Sequence, residues 1–495
     1  MVVERGERRG GNRAELVLLA GVLVLGLALR LWKTNATSLW LDDFHSLHHA
    51  RAPGAGELLR GLALDNHPPL SFLLVGGARL LLGESQLALA LPAVLAGVGS
   101  LVLLWKLLEG LPGRLPAVLF LSLSTLHLEA SSNLRMYALL GFAVLGLIRA
   151  LVRVAATGRG VIALGLFGTI GLHSHYQFLH AFLLLFAVAL LATVGRPEGG
   201  PRRTMLAAGL GLAILLALPW YLTVFREQLA HGLAPGGSSV SLRRWLEGYL
   251  HLLFHGVGDH GAKLTPLFAA AGACAGLLAL LGALRLLSTT RDDGRARAAL
   301  LVACALVLPA WVAVAAWFSP RSGFDWRYLA GSSAPFAALA AVGCADGGWP
   351  LARARRLAGS VVAAVLLLLA VLVARHPGHE DYRSATRAVL RALRPGDAVL
   401  AVDWQPRLFP HGIGWRYYLE RELDPGASPP PELAHDDDFS LVEGAGIDAR
   451  SFERVHCILR SIPSGAACLR RLRELFPEER TELHGRGVHV VTFAR

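Results

Sequence analysis

Two carboxylates stand side by side near the start of the chain. Asp42 and Asp43 lie in the segment SLWLDDFHSLHH, shortly after the first long apolar run, and Asp65 and His67 follow in the segment DNHPPL. A carboxylate can accept the proton of a reacting hydroxyl. Ionisable groups close to a membrane are costly unless they face a water-filled cavity. The pattern therefore favours catalysis by Asp42 and Asp43 and substrate binding by Asp65 and His67, with solvated loop or helix-capping residues as the alternative.

Two arginine–tyrosine motifs could bind an anion. Arg135 and Tyr137 (NLRMYAL) and Arg327 and Tyr328 (DWRYLAGSSAP) open later apolar runs. A lone arginine at the end of a membrane helix usually extends to the interface, but the charge asymmetry described below disfavours arginine on this face. Because the guanidinium fork matches phosphate oxygens, the two motifs predict a phosphate site.

Histidine is unusually frequent, with 19 residues. His175 and Tyr176 lie in the segment LHSHYQFLH and are candidates for substrate binding, and His45 closely follows the acid pair. A zinc site with Asp43 and His45 as candidate ligands is one interpretation. No HExxH or CxxC spacing supports it, and such histidines commonly line polar cavities. A divalent metal thus stays an open alternative, and no other cofactor is indicated.

The composition indicates the kind of chain that must position these residues. Of 495 residues, 54% are hydrophobic and 17% charged, with a mean hydropathy of +0.48, whereas soluble domains carry about 25% charged residues. The net charge of +12 and the pI near 10.1 raise the hypothesis of nucleic-acid binding. Many long apolar runs argue against nucleic acid as a partner. The chain is therefore predicted to be a polytopic membrane protein.

The charge is distributed unevenly. Residues before Arg375 include 31 basic and 18 acidic side chains, whereas those from Arg375 onward include 17 and 18. The excess arginines cluster at the N-terminus and in short gaps between apolar runs, which assigns those gaps to the cytoplasm. Candidate spans of about 20 residues lie near 15–32, 68–83, 86–105, 115–130, 137–152, 161–175, 176–195, 205–225, 264–288, 299–318, 328–346 and 357–374.

The number of spans must also agree with the side of the C-terminal tail. Twelve spans from a cytoplasmic N-terminus would leave the tail inside, whereas the basic loop 351–356 puts it outside. We therefore expect 11 or 13 helices. The tail is predicted to be a small soluble α/β domain, with short apolar segments as strands between helical stretches. The strands are expected at 397–403, 454–460 and 487–493, and the helices at 381–394 and 466–476.

The predicted organisation has three parts. Residues 1–14 form a basic cytoplasmic N-terminus, residues 15–375 form a transmembrane domain with the external loop 33–67, and residues 376–495 form an external domain. The fold class is an all-α polytopic membrane bundle of about 11–13 helices with a small soluble C-terminal α/β domain. The sequence contains neither GxxxxGK[ST] nor a convincing Rossmann fingerprint, so a transferred group would come from the bilayer rather than from a cytoplasmic nucleotide.

At these residues the sequence resembles the GT-C glycosyltransferases, in particular the bacterial branch akin to protein O-mannosyltransferases, aminoarabinose transferases and Rgt-type (family 39-like) enzymes. The resemblance follows motif order across residues 15–375. An acid pair lies in the first external loop, with Asp43 where the family has Glu. The other matching positions are Asp65, His67, Pro68, Pro69, Arg135, Tyr137, Arg327, Tyr328, Leu329 and Pro335.

The resemblance implies a membrane transferase of the bacterial cell envelope. Its donor would be a polyprenyl-phosphate sugar in the outer leaflet of the plasma membrane, and its acceptor a hydroxyl of a lipid, a glycan or a protein on the external face. Asp42 would be the general base of a single inverting displacement, and Arg135 and Arg327 would stabilise the phosphate leaving group. The shorter side chain of Asp43 puts in question roles that need the reach of Glu, including metal ligation.

Two other functions remain open from the sequence. A transporter or flippase for a lipid-linked sugar would share the helices and basic loops, although it should carry ionisable residues near the middle of the membrane, whereas here they concentrate at one face. A polymerase or ligase of lipid-linked oligosaccharides would rely on a large external loop. The segment 226–263, with Arg243, Arg244 and His255, could provide one.

Overall fold

The computed structural model describes residues 2–195, 198–231, 253–254, 265–289, 293–318, 326–345, 351–375, 379–403, 412–433, 448–460, 466–484 and 487–495. Its internal contacts divide the chain into two compact units. The first combines Met1–Lys33 with Ala52–Ala374, and the second combines Thr34–Arg51 with Arg375–Arg495. The short segment that carries the acid pair is thus part of the same unit as the C-terminal tail.

The first unit is helical throughout its described secondary structure, and every apolar run recognised in the sequence folds as helix. A π-helical turn, Ala303–Val307, links the helices Asp293–Val302 and Leu308–Phe318. The helices up to residue 375, of which α2 belongs to the second unit, are α1 (Val2–Ala36), α2 (Leu41–Ala50), α3 (Ala55–Ala63), α4 (Leu70–Leu82), α5 (Gln86–Leu107), α6 (Arg114–Leu123), α7 (Thr125–Ala130), α8 (Tyr137–Thr157), α9 (Val161–Ser174), α10 (Phe178–Leu191), α11 (Gly199–Leu222), α12 (Val224–Ala230), α13 (Thr265–Thr289), α14 (Asp293–Val302), α15 (Leu308–Phe318), α16 (Ala330–Cys344) and α17 (Ala352–Arg375).

Seven of these helical stretches are long and apolar enough to cross a membrane, and four further apolar helices are shorter. The run predicted at 115–130 is divided, because the chain leaves helical geometry at Ser124, whose hydroxyl then caps α7 by accepting the His127 amide at 3.3 Å. The fold class expected from the sequence is confirmed: a polytopic helical membrane bundle precedes a small α/β domain.

Helix α16 forms the centre of the first unit. All 15 of its residues are buried, and it packs closely against α13. A Cβ atom at Gly282 would collide with the Leu339 carbonyl, and one at Gly343 would collide with the Leu278 carbonyl. Paired glycines thus let the two backbones touch, as is common between membrane helices. This packing fixes the second half of α16 against α13, and α16 begins directly after the short turn that carries Tyr328 and Leu329.

Two buried pairs of polar side chains tie α1 to α7. The Nζ atom of Lys33 lies 2.8 Å from Oε2 of Glu129, with both side chains less than a tenth exposed. The fully buried Arg30 donates from Nη2 to Nδ1 of His127 at 2.6 Å. These residues were not predicted as pairs from the sequence. Two basic residues at the end of an apolar run nevertheless indicate that each requires a polar partner.

The second unit is an α/β domain built on a five-stranded sheet of order β2-β1-β3-β5-β4. The two strands next to β1 run parallel to it, whereas β5 is antiparallel to its neighbours. Alternate side chains of the central strands form the core together with α20. The elements are α18 (Tyr382–Ala392), β1 (Asp397–Asp403), α19 (Ile413–Glu422), β2 (Glu432–Leu433), β3 (Arg454–Arg460), α20 (Ala467–Leu475), β4 (Glu478–His484) and β5 (Val488–Ala494).

Candidate active site

A chain of hydrogen bonds in the first unit joins the two motifs that the sequence placed at its external face. Nδ1 of His67 lies 2.9 Å from Oδ1 of Asp65, and Nη2 of Arg135 lies 3.1 Å from Nε2 of His67. An arginine can only donate, so Nε2 of His67 must accept, and its Nδ1–H donates to Asp65. His67 is therefore a neutral linker that orients the guanidinium of Arg135 with the help of a buried carboxylate.

The second arginine lies beside the same cluster. Tyr137 is the first residue of α8 and is buried, and the guanidinium carbon of Arg327 lies 5.5 Å from the centre of its ring. Such an approach is within the range of a cation–π interaction. Arg327 and Tyr328 lie in a short 3-10 turn, Trp326–Leu329, that leads into α16. Residues far apart in sequence are thus brought into one group.

His175 lies at the centre of this group. Its ring centre is 5.7 Å from that of Tyr137, 5.1 Å from that of Tyr328 and 6.1 Å from that of His67. Arg135 and Arg327 are close enough to act on it electrostatically. We refer to the seven residues Asp65, His67, Arg135, Tyr137, His175, Arg327 and Tyr328 as the arginine cluster.

The hydrogen bonds of His175 leave one donor available to a ligand. His175 follows α9 in an extended conformation, and its Nδ1 accepts a hydrogen bond from the backbone N–H of Gln177 at 3.1 Å. In a neutral imidazole the other nitrogen then carries the proton. This Nε2 is buried and has no hydrogen-bond partner among the described residues. A buried N–H group that is electrostatically influenced by two nearby arginines is suited to an anion.

Tyr176 lies next to the arginine cluster and is connected to it through Gln228. Its hydroxyl donates to Oε1 of Gln228 and accepts from Nε1 of Trp220 at 3.1 Å. The amide of Gln228 in turn donates to the carbonyls of Leu62, at 2.7 Å, and His67, at 3.2 Å. The hydroxyl of Tyr176 thus fixes the side chain of Gln228, which stabilises the turn that carries His67. Gln228 and Trp220 were not predictable from the sequence, because a lone glutamine or tryptophan gives no pattern.

Asp42 and Asp43 lie in the first turn of α2, in the second unit. Asp43 is buried and Asp42 half-buried. The apolar side of α2 is fixed by Phe44, whose ring makes edge contacts with Tyr382, Tyr417 and Tyr418 at 5.4–6.2 Å between ring centres. The aromatic segment 415–418 of the tail, which could equally have been an acceptor surface, therefore forms a packed core around the acid helix.

Three histidines follow the acid pair on α2, including the candidate metal ligand His45. Burial, together with the nearby His49, His45 and Arg51, lowers the pKa of His48 to about 4. His48 is therefore neutral at physiological pH. The metal-ligand candidates Asp43 and His45 are both buried on this short helix. The loop residues Arg243, Arg244 and His255, on which the polymerase interpretation depends, lie outside the described residues.

The fold is shared with solved structures of other proteins. Over 98% of its length the chain matches 98% of the crystal structure of apo ArnT from Cupriavidus metallidurans, with a TM-score of 0.57 and 11% sequence identity. It matches 97% of ArnT bound to undecaprenyl phosphate with a TM-score of 0.54 and 13% identity. It also matches 40% of the mycobacterial arabinofuranosyltransferase AftD over 96% of its own length, with a TM-score of 0.50 and 15% identity.

The fold that the resemblance to GT-C glycosyltransferases implied is thereby confirmed. No protein-family model and no curated protein sequence matches the chain. At these identities the shared feature is the fold alone.

Proposed function

We propose that the protein is a membrane glycosyltransferase that moves a sugar from a polyprenyl-phosphate donor to an acceptor hydroxyl. The observation that carries this proposal is the convergence of Arg135, Arg327 and the buried Nε2–H of His175. Two guanidinium groups and a neutral donor match a phosphate group in charge and in hydrogen bonding. The shared fold with ArnT, which was solved with undecaprenyl phosphate, supports a polyprenyl phosphate as the ligand.

The proposed reaction is a single displacement at the anomeric carbon. The acceptor oxygen bonds to this carbon while the bond to the phosphate oxygen breaks, and its electron pair leaves with the lipid phosphate. Asp42 takes the proton of the hydroxyl as general base, and the configuration inverts. Arg135, Arg327 and His175 stabilise the negative charge that develops on the leaving group. Tyr137 and Tyr328 flank the arginines, and Asp65 acts through His67.

The proposed location is the bacterial plasma membrane. The basic residues around 5–13 and in the short gaps between helices support a cytoplasmic N-terminus. The same rule supports an external C-terminal domain and therefore an external acceptor, whether lipid, glycan or protein. Labelling of single cysteines placed in the N-terminal segment and in the C-terminal domain of intact cells would test this orientation. Labelling of both or of neither by an impermeant reagent would contradict it.

The decisive experiment is transfer in vitro with a panel of polyprenyl-phosphate hexoses and pentoses. The wild type is compared with Asp42→Asn, and the exposed Asp424→Asn serves as a matched control in the same unit. We expect Asp42→Asn to lower kcat by about 100-fold or more and to leave binding of polyprenyl phosphate intact. Undiminished transfer by this variant would overturn the general-base assignment.

The same preparation distinguishes the transporter alternative. In vesicles reconstituted with the purified protein, a transporter would move the lipid-linked sugar between leaflets without forming a glycosidic bond. A glycosyltransferase would release polyprenyl phosphate and form a glycosylated acceptor in equal amounts. Movement without such release would contradict the proposed function.

A further inference from the structure

His45 and His49 form a pair on α2 that the proposed transfer reaction does not use. Four residues apart on a helix, they lie on the same face one turn from each other. Their Nε2 atoms are 3.2 Å apart, and the ring planes are inclined at 62° with centres 4.9 Å apart. Both imidazoles are buried, with 9% and 6% of their surface exposed. The two nitrogen edges thus converge inside the protein.

This convergence has two chemical explanations. A neutral pair could share one hydrogen bond, with one ring donating to the other. Alternatively, both nitrogens could bind one metal ion. Two nitrogens at the usual Zn–N distance of about 2.0–2.1 Å and at a tetrahedral angle are separated by about 3.3 Å. The observed 3.2 Å agrees with that separation, so the pair already has the spacing of two ligands of one ion.

The orientation of the pair is fixed by the opposite side of the helix. Phe44 is fully buried and its ring contacts Tyr382 and Tyr417, and Leu47 is also fully buried. These contacts prevent α2 from rotating about its axis. Asp42 stands three residues before His45, and therefore on the histidine face of the helix.

We propose that His45 and His49 are two ligands of a divalent transition metal, of which Zn²⁺ is the representative. Imidazole nitrogens suit this class of ion. Two histidines leave coordination positions for water or an oxygen ligand, as in the open type of zinc site rather than the closed structural type. A metal ion bound by this pair would lie on α2, the helix that carries Asp42 and Asp43. Metal binding by this pair does not depend on the proposed transfer reaction.

The test measures metal directly, without donor or acceptor. The purified full-length protein is stripped with a chelator, and its affinity for Zn²⁺ is determined by equilibrium dialysis and metal analysis. The variants are His45→Gln and His49→Gln, with His48→Gln as a matched control on the same helix. We expect one tight Zn²⁺ per wild-type chain, at least about tenfold weaker binding in each of the first two variants, and no change in the control.

A second measurement distinguishes the loss of metal binding from the unfolding of a variant. Zn²⁺ should raise the Tm of the wild type and of His48→Gln but not that of His45→Gln or His49→Gln, because only a ligand bound to the folded state stabilises it. Bound Co²⁺ should show the intense visible absorption of a four-coordinate ion in the wild type. Failure of the stripped wild type to bind Zn²⁺, or equal binding by all variants, would leave the neutral hydrogen-bonded pair as the explanation and overturn the proposal.

Discussion

The backbone N–H of Leu39 donates to the hydroxyl of Tyr418 at 2.7 Å. The bond joins the residues before the acid helix α2 to helix α19 of the C-terminal domain, within one compact unit. Ser38 lies against the same hydroxyl at 3.3 Å, and Trp40 stacks on His379 with 4.0 Å between ring centres. Burial raises the pKa of Tyr418, which keeps the phenol protonated. The tail is therefore a support for the segment that carries Asp42.

Removal of that hydroxyl is expected to reduce catalysis without affecting donor binding. In Tyr418→Phe the buried N–H of Leu39 loses its acceptor, a cost of about 1–3 kcal/mol. The start of α2 loosens, and we expect kcat to fall about tenfold while KM for the lipid donor stays unchanged. Steady-state kinetics of this variant beside Arg387→Gln, which removes an exposed ion pair to Glu422 in the same domain, would check it. A rise in KM alone would contradict a positioning role.

The arginine cluster makes a separate prediction about phosphate binding. Arg135→Gln, Arg327→Gln and His175→Phe each remove one donor from the group. A hydrogen bond to a charged group contributes about 1.5–3 kcal/mol, so we expect each variant to weaken binding of polyprenyl phosphate about 10- to 100-fold. The measurement is titration of the detergent-solubilised protein with polyprenyl phosphate, with Arg202→Gln, at an ion pair away from the cluster, as control. Unchanged affinity in all three variants would place the phosphate elsewhere.

The sequence predicted the membrane helices because each is a long apolar run, and the central strands because each is a short apolar run; α2 and α3, within the expected loop 33–67, were not predicted. In β1 and β3 consecutive residues are buried on both faces, and β5 is buried at most positions; all three strands were recognised. The edge strand Glu478–His484 was missed because residues 478–482 are exposed and polar, and an edge strand needs no apolar face. Helix α19 was missed for a different reason: its aromatic residues fill a core around Phe44, a contact that no local pattern encodes.

The candidate site was predictable by residue type but not by its connections. Arg135, Arg327 and His175 stood out because charged or polar residues interrupt apolar surroundings. The bond of Arg135 to His67 spans 68 positions and depends on how α8 packs beside the turn after α3. Neither the linker role of His67 nor the open Nε2–H of His175 follows from spacing, because each requires knowledge of which nitrogen is already bonded.

The buried ion pair of Lys33 and Glu129 yields a prediction about stability. Glu129→Gln leaves a buried lysine without its counterion, which typically costs about 3–5 kcal/mol. Lys33→Met and Glu129→Leu each leave one buried charge unpaired. The double variant Lys33→Met/Glu129→Leu removes both charges and should be less destabilised than either of these single variants. Thermal unfolding of the purified protein in detergent would measure both. Equal Tm values for Glu129→Gln and the wild type, or additive losses in the double variant, would show that the pair contributes nothing.

Acidification is expected to weaken the C-terminal domain through His456. Burial lowers the pKa of this histidine despite its bond to Asp397 at 3.3 Å. Because the folded pKa lies below the unfolded value of about 6.5, the unfolded chain binds the proton more readily, and stability falls as pH drops through that value. For Asp397, burial would raise the pKa, but bonds from Arg454, the Arg394 amide and His456 lower it overall. The stability that ionised Asp397 contributes is therefore lost only below about pH 3.9.

Hydrogen exchange of the strands β1 and β3 between about pH 7 and about pH 5, corrected for intrinsic rates, isolates the histidine. We expect their protection in the wild type to decrease across this range. His456→Gln can keep a hydrogen bond to Thr492, the 3.0 Å partner of Nδ1 in the wild type, and cannot be protonated, so its protection should be nearly independent of pH. An equal pH dependence in both proteins would assign the acid sensitivity to a group other than His456.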